Sequence, residues 1–227
     1  MKLSIVATLY QSAPYINEFH KRACAAARQL VGEDFEILLV NDGSPDNSLD
    51  LAIRLTEQDS HVVVVDLSRN FGHHKAMMTG LAHAKGERVF LIDSDLEEEP
   101  EWLDAFAKQM RVDESDVVYG VQDRRKGGLF ESCTGWIFYR IFRLLTGIAQ
   151  PDNIVTARLM TRRYVKALVA HQERELNIGF FIQRQYDYSD IQFIFHESNS
   201  NTKRFKSEPL DVISYLSRAN RCALILI

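Results

Sequence analysis

Two aspartates one residue apart, Asp93 and Asp95, follow directly on the apolar run Val89-Phe90-Leu91-Ile92. A buried strand that ends in paired carboxylates brings two hard oxygen ligands to one point on the edge of a sheet. That chemistry suits Mg²⁺ or Mn²⁺, above all where phosphate oxygens complete the coordination shell. A cation so placed neutralises the charge that builds on a departing diphosphate. A lone D-x-D is common by chance, so the position at a strand end carries the argument. The Glu97-Glu98-Glu99 run behind it reads as a solvated approach to a helix, not as further ligands. Asn41-Asp42-Gly43-Ser44-Pro45-Asp46 is a second polar cluster, and Asp-Gly is a strong turn former. A side chain fixed in that turn can also accept hydrogen bonds from a base or a ribose. Ser68-Arg69-Asn70 supplies a third cluster.

The elements that must position these residues can be read from periodicity. Short β-branched runs alternate with helix-period segments through the first half, the pattern of a mainly parallel sheet with crossover helices, hence an α/β fold. Strands are predicted at Leu3–Leu9, Glu36–Asn41, Val62–Leu67, Arg88–Ile92 and Asp116–Tyr119, and helices at Pro14–Leu30, Asp46–Gln58, Lys75–Ala84 and Pro100–Met110. Pro14 and Pro100 fall where a first helical turn tolerates proline. All three polar clusters then lie at C-terminal strand ends, the edge at which open parallel sheets bind ligands. They point to one cleft.

Composition sets the outer bounds. With 227 residues, 46% hydrophobic and 26% charged, the chain suits one globular domain with a small C-terminal extension. Cys24, Cys133 and Cys222 are far apart and odd in number, which suggests neither a disulfide framework nor a clustered zinc site and makes the cytoplasm the natural compartment. Met1-Lys2 leads at once into a strand-like run, so no secretory leader is expected. Residues 1–123 hold 11 Lys/Arg against 22 Asp/Glu, and residues 124–227 hold 16 against 9, so the first half is poised to hold cations and the second to face anions. A basic loop, Gln122–Gly128, precedes the apolar segment Leu129–Thr146, which could bury against the sheet, a second subunit or a bilayer. No stretch approaches the roughly 18 apolar residues of a membrane span. The terminal run Cys222–Ile227 reads as a last strand or as the start of a transmembrane helix.

Taken together, Leu38-Leu39-Val40-Asn41-Asp42-Gly43-Ser44, Arg69-Asn70-Phe71-Gly72 with Ala76 and Gly80, and Leu91-Ile92-Asp93-Ser94-Asp95-Leu96 with Pro100-Glu101 resemble glycosyltransferase family 2 over residues 1–120. The likeness is to its dolichol- and polyprenyl-phosphate sugar transferase branch. It implies a GT-A fold, with a nucleotide-sugar-binding half (1–120), an acceptor half (121–205) and an amphipathic juxtamembrane segment (206–227) cut off before transmembrane helices. It also implies that Asp42 and the loop at Thr8 contact the nucleoside. Asp93 would lie near ribose and diphosphate, Asp95 would ligate Mg²⁺ or Mn²⁺ with Asp93 beside it, and Arg69, Asn70, Gly72 and Lys75 would line the donor pocket. Thr156-Ala157-Arg158-Leu159-Met160-Thr161-Arg162 resembles the branch's Asp-Phe-Arg-Leu-Met-x-Arg, with Thr156 standing in place of the aspartate. Gln172-Glu173-Arg174-Glu175 resembles its charged acceptor-side segment. Arg158 and Arg174 join the catalytic set, Arg174 because a guanidinium matches phosphate oxygens.

The implied activity is inverting transfer of a sugar from a UDP- or GDP-sugar to a polyprenyl phosphate at the cytoplasmic face of a bacterial plasma membrane, for cell-surface glycan synthesis. Arg124, Lys203 and Arg204 would face the lipid phosphate or its surface, nucleic acid is no partner, and a homo-oligomer is left open. Lipid phosphate is already an anion and needs no strong base. A hydroxyl acceptor would need one, for which Asp152, Glu173 and His196 are the candidates. Two alternatives stand beside this one: a soluble enzyme that elongates a saccharide, and a non-catalytic nucleotide-sugar-binding module. A nucleotidyltransferase is disfavoured because Ala7–Ser12 contains no glycine for a phosphate loop.

Overall fold

The computed structural model describes residues 1–122, 154–170, 191–196 and 224–226, with backbone only for residues 121, 122, 154 and the last two segments. Its elements run β1 (Leu3–Leu9), α1 (Ile16–Val31), β2 (Phe35–Asn41), α2 (Ser48–Gln58), β3 (Val62–Asp66), α3 (His73–His83), β4 (Arg88–Leu91), α4 (Trp102–Val112), β5 (Val117–Gln122), β6 (Ile154–Thr161), α5 (Arg162–Ala170), β7 (Ile191–His196) and β8 (Leu224–Leu226). The strands form one sheet in the order β3-β2-β1-β4-β6-β5-β7-β8.

Every residue of β1 is buried, as expected of a central strand covered on both faces. It pairs in parallel with β2 and with β4, and β2 pairs in parallel with β3. The order therefore reverses direction between β1 and β4, and that switch point opens the crevice in which α/β sheets place ligands. Beyond it the parallel rule breaks. β6 runs antiparallel to both β4 and β5, which puts the start of β6 beside the end of β4. The apolar run Leu224–Leu226 is an edge strand parallel to β7, one of the two alternatives for it.

Alternation of side chains along the strands feeds two cores, one on each face. Ile5, Ala7, Ile37, Leu39, Phe90 and Leu159 pack with Ile16, Phe19, Ala23, Leu103 and Phe106 on the face of α1 and α4. Val6, Leu38, Leu91, Tyr119 and Met160 pack with Met77, Leu81, Tyr164 and Leu168 on the face of α3 and α5. Gly80 lets α3 lie close, because a Cβ there would come within 2.4 Å of Val6 Cγ1 and 2.9 Å of Val40 Cγ2. At the opposite edge, buried Glu36 accepts Ser4 Oγ–H (2.6 Å) and the Lys85 N–H (2.6 Å), fixing the turn from α3 into β4. No helix among the described residues is long and apolar enough to cross a membrane.

Candidate active site

Five chain segments meet at the crevice: the ends of β1, β2 and β4, the loop from β3 into α3, and the start of β6. Asp93 and Asp95 leave the end of β4, and the residue between them ties that turn to β1, since Ser94 Oγ donates to the Thr8 carbonyl (2.7 Å) and lies 3.0 Å from Ser12 Oγ. The two aspartates differ in setting. Asp95 is exposed, and its Oδ1 accepts the Glu97 N–H at 3.0 Å. Asp93 is partly buried. Burial raises its carboxyl above the ordinary range and the charge of Asp95 adds to that, while His73, the Thr156 hydroxyl and Arg158 oppose it. A carboxylate held against both burial and a like charge is a natural counterpart for a cation, and its oxygen donors fit Mg²⁺ or Mn²⁺.

Glu98 corrects the expectation of a solvated acidic run. It is 7% exposed, and its two oxygens accept three backbone N–H groups: Asp93 at 3.3 Å, Thr156 at 2.7 Å and Ala157 at 3.1 Å. One side chain thus locks the metal-side turn to the first residues of β6. Burial, then the charge of Asp93, pushes its carboxyl up to about 7, with the three N–H donors pulling the other way. Glu97 and Glu99 are exposed, as the sequence suggested.

Asp42 is 2% exposed, and its carboxylate oxygens accept the N–H groups of Phe71 (2.7 Å) and Gly72 (3.0 Å). The structure gives this residue the work of fastening the β3–α3 loop to the end of β2. Gly43 (φ +60°) makes the same junction possible, because a Cβ there would lie 2.4 Å from Asn70 N and 2.6 Å from the Arg69 carbonyl carbon. Gly72 also takes a positive φ (+94°) as the chain turns into α3. Arg69, Asn70 and Lys75 are exposed at the rim. The Arg69 guanidinium lies 4.6 Å from the Phe71 ring centroid, and Asn70 Oδ1 accepts the Gly72 N–H.

The sequence reading passed over His73 and His74. His73 Nδ1 lies 3.2 Å from Thr8 Oγ1 and its Nε2 3.5 Å from Asp93 Oδ1, so it joins the end of β1 to the acidic turn. His74 is held below the usual imidazole range by burial, then by His73 and Arg158, which favours the neutral ring. A signal was present: two adjacent imidazoles follow Gly72 at a helix start, one step before Lys75.

Arg158 is buried in β6. Its Nε donates to the Thr156 carbonyl (2.9 Å) and its Nη2 to the Val155 carbonyl (3.3 Å), while Nη1 has no hydrogen-bond acceptor among the described residues. Burial pushes its guanidinium below the usual range, and the charges of Glu98 and Asp93 oppose that. Thr156, where the resembling branch has an aspartate, stands beside Asp93, and its hydroxyl pulls the Asp93 carboxyl down. Arg124, Asp152, Glu173, Arg174, Lys203, Arg204 and the segment Leu129–Thr146 lie outside the described residues, as do residues 206–223.

Comparison with known proteins agrees with this geometry. The family model described as glycosyl transferase family 2 matches residues 4–197. A Mycobacterium tuberculosis (strain CDC 1551 / Oshkosh) protein named as a glycosyltransferase is 53% identical over 179 residues, which cover 79% of this chain and 52% of that protein. The chain therefore spans about half the length of that relative. Among solved structures, glucosyl-3-phosphoglycerate synthase from M. tuberculosis, in complex with Mn²⁺, uridine diphosphate and glucosyl-3-phosphoglycerate, is 17% identical with a TM-score of 0.57, covering 89% of this chain and 72% of that one. The S. aureus TarS 1–349 structure is 21% identical with a TM-score of 0.54, covering 78% and 51%. The Pyrobaculum calidifontis mannosyltransferase PcManGT, in complex with GDP-Man and Mn²⁺, is 20% identical with a TM-score of 0.52, covering 74% and 46%. These likenesses carry the fold and bear out the expected GT-A arrangement of a mixed sheet flanked by helices. With its acidic turn at the β1–β4 switch point and a family match over most of its length, the chain belongs to glycosyl transferase family 2.

Proposed function

We propose that the protein transfers a hexosyl group, with inversion, from a UDP- or GDP-sugar to a polyprenyl phosphate at the cytoplasmic face of the membrane. The observation that carries the donor half of this reading is the Asp93-Ser94-Asp95 turn at the switch point, pinned by Ser94 to β1 and by Glu98 to β6. Asp95, exposed, and Asp93, behind it, would hold a divalent cation whose chemistry is to neutralise the departing nucleoside diphosphate. The protein's own groups do the rest. Arg69, Asn70 and Lys75 stand exposed at the rim for the donor, and Gly72 lets the chain turn there. Arg158 and His73 lie near Asp93 and oppose the upward push of burial on its carboxyl.

A lipid-phosphate acceptor requires no base at Thr156, the position at which the chain departs from the polyprenyl-phosphate branch. A threonine hydroxyl cannot serve as a base in place of the carboxylate that the branch carries there, and a phosphate acceptor, already an anion, attacks the anomeric carbon without one. Single displacement from the face opposite the leaving group then inverts the centre.

The test is transfer from a panel of UDP- and GDP-sugars, with Mg²⁺ or Mn²⁺, with and without a short polyprenyl phosphate, by the protein and its Asp95→Ala variant. Metal-dependent transfer to the lipid that falls by about 10²-fold or more in the variant is expected. Transfer to a saccharide hydroxyl alone would replace the acceptor assignment. Donor binding with no turnover on any acceptor would identify a nucleotide-sugar-binding module.

A further inference from the structure

Away from the crevice, three different donor atoms converge between α1 and the turn that leads from α2 into β3. His20 and Cys24, four residues apart, project from the same face of α1, and Asp59 follows the last residue of α2. His20 Nε2 lies 2.9 Å from Asp59 Oδ2 and 3.3 Å from Cys24 Sγ, and Cys24 Sγ lies 3.3 Å from Asp59 Oδ2. Asp59 precedes β3, at the sheet edge opposite the Asp93–Asp95 turn.

We propose that His20, Cys24 and Asp59 form a zinc-binding site, separate from the carboxylate turn of the crevice. The point equidistant from the three atoms in their plane is roughly 1.8 Å from each, and zinc bonds to N, O and S run about 2.0–2.3 Å. An ion slightly off that plane, with the triangle opened by a few tenths of an ångström, meets all three. The fourth position of the tetrahedron then faces solvent, since the side chains of His20 and Asp59 keep 17% and 14% of their exposure while Cys24 is buried. A nitrogen, an oxygen and a sulfur together select a borderline ion such as Zn²⁺ over Mg²⁺ or Mn²⁺.

The surroundings hold the donors in place. His61 grips Asp59 through the other oxygen, with its N–H at 3.0 Å and its Nδ1 at 2.6 Å from Oδ1, which leaves Oδ2 turned to His20 and Cys24. His61 itself stacks on Phe35 at 4.2 Å and reaches Glu33 at 3.2 Å, so the support continues into the core. Such outer partners orient metal ligands. Binding is coupled to proton movement: the Cys24 thiol releases its hydrogen to solvent as the sulfur–zinc bond forms, and the hydrogen that His20 Nε2 directs at Asp59 leaves that atom, the ring keeping its N–H on Nδ1 through exchange with solvent, so that the Nε2 lone pair meets the ion. The site would clamp α1 to the α2–β3 turn.

The experiment uses the full chain, stripped with chelator and titrated with Zn²⁺, and with Co²⁺ as an optical reporter. One zinc per chain is expected in the Asp95→Ala protein, and a thiolate-to-cobalt charge-transfer band that zinc displaces. The Cys133→Ser/Cys222→Ser double variant keeps both. Cys24→Ser abolishes the band and weakens zinc binding by about 10²-fold or more, and His61→Ala weakens it about 10- to 100-fold. Zinc of unchanged affinity in Cys24→Ser, or a wild-type cobalt complex without the band, overturns the proposal. Should Cys24→Ser fail to fold, zinc-edge X-ray absorption of the wild-type protein decides it: one sulfur at about 2.3 Å supports the site, and an all-nitrogen/oxygen shell overturns it.

Discussion

Truncation of Glu98 probes the hinge between the acidic turn and β6. Glu98→Ala removes the acceptors of three backbone N–H groups, those of Asp93, Thr156 and Ala157. Ala157 is fully buried, so its N–H would lose its partner where water does not reach, at about 1–3 kcal/mol. Asp93 and Thr156 are partly exposed and can recover water, at about 1 kcal/mol each. Against this, the variant no longer buries a carboxyl that its surroundings push up to about 7, which offsets roughly 1–2 kcal/mol. A net loss of about 1–4 kcal/mol follows. Glu98→Gln retains one oxygen for Thr156 and Ala157 but turns an amide N–H₂ toward the Asp93 N–H, so its loss should be about half as large. Guanidinium denaturation in chelator buffer gives the stabilities, and calorimetry with UDP- or GDP-sugar and Mn²⁺ gives donor affinity, expected to fall in the order wild type, Gln, Ala. An alanine variant within about 0.5 kcal/mol of wild type, with unchanged donor affinity, would refute the view that Glu98 holds the site together.

Other substitutions test neighbouring joints. Gly43→Ala should cost about 2–4 kcal/mol, from the left-handed backbone and from a Cβ driven against the Asn70 backbone, and should weaken donor binding; denaturation and calorimetry check both. Asp42→Asn keeps one acceptor for the Phe71–Gly72 loop and opposes an N–H₂ to the other N–H, so a loss of about 1–3 kcal/mol and faster amide exchange at Phe71 and Gly72 are expected. Gly80→Val should destabilise by about 2 kcal/mol or more, because α3 must move off Val6 and Val40; a smaller effect than that of Gly80→Ala would contradict the packing. Asp46 accepts from Ser44, Ser48 and Ala13. Although burial opposes it, the Ser44 and Ser48 hydroxyls hold its carboxyl down to about 2. Its contribution is present above the ordinary aspartate range and disappears as pH falls toward 2, so Asp46→Asn should flatten the acid limb of a stability–pH curve.

The first four strands and helices were legible because each obeys a local rule. Runs such as Leu3–Leu9 and Glu36–Asn41 are apolar enough to be buried on both faces, and the helices between them carry one apolar stripe. The observed bounds of β1 match those expected, and those of β2 to β4 and α1 to α4 differ by only a few residues. The Asp93–Asp95 turn and the Arg69–Gly72 loop were legible for the same reason, since a parallel strand brings whatever follows it to the common edge.

Sequence alone determined the class of fold, the family and the edge at which ligands gather, because these follow from periodicity and from motifs contiguous in the chain. Tertiary structure decided what joins segments far apart. Glu98 looked like one of three solvated acids until β6, antiparallel to β4, brought the Thr156 and Ala157 N–H groups to it across 58 and 59 residues. Asp42, expected at a nucleoside, also fastens a loop 29 and 30 residues away, which no local pattern announced. Cys24 gave no sign of a zinc site among three dispersed cysteines, since its partners are a histidine one turn before it and an aspartate 35 residues on. In each case a polar side chain leaves water only where a distant segment supplies its partner, and no local pattern records which segment that will be.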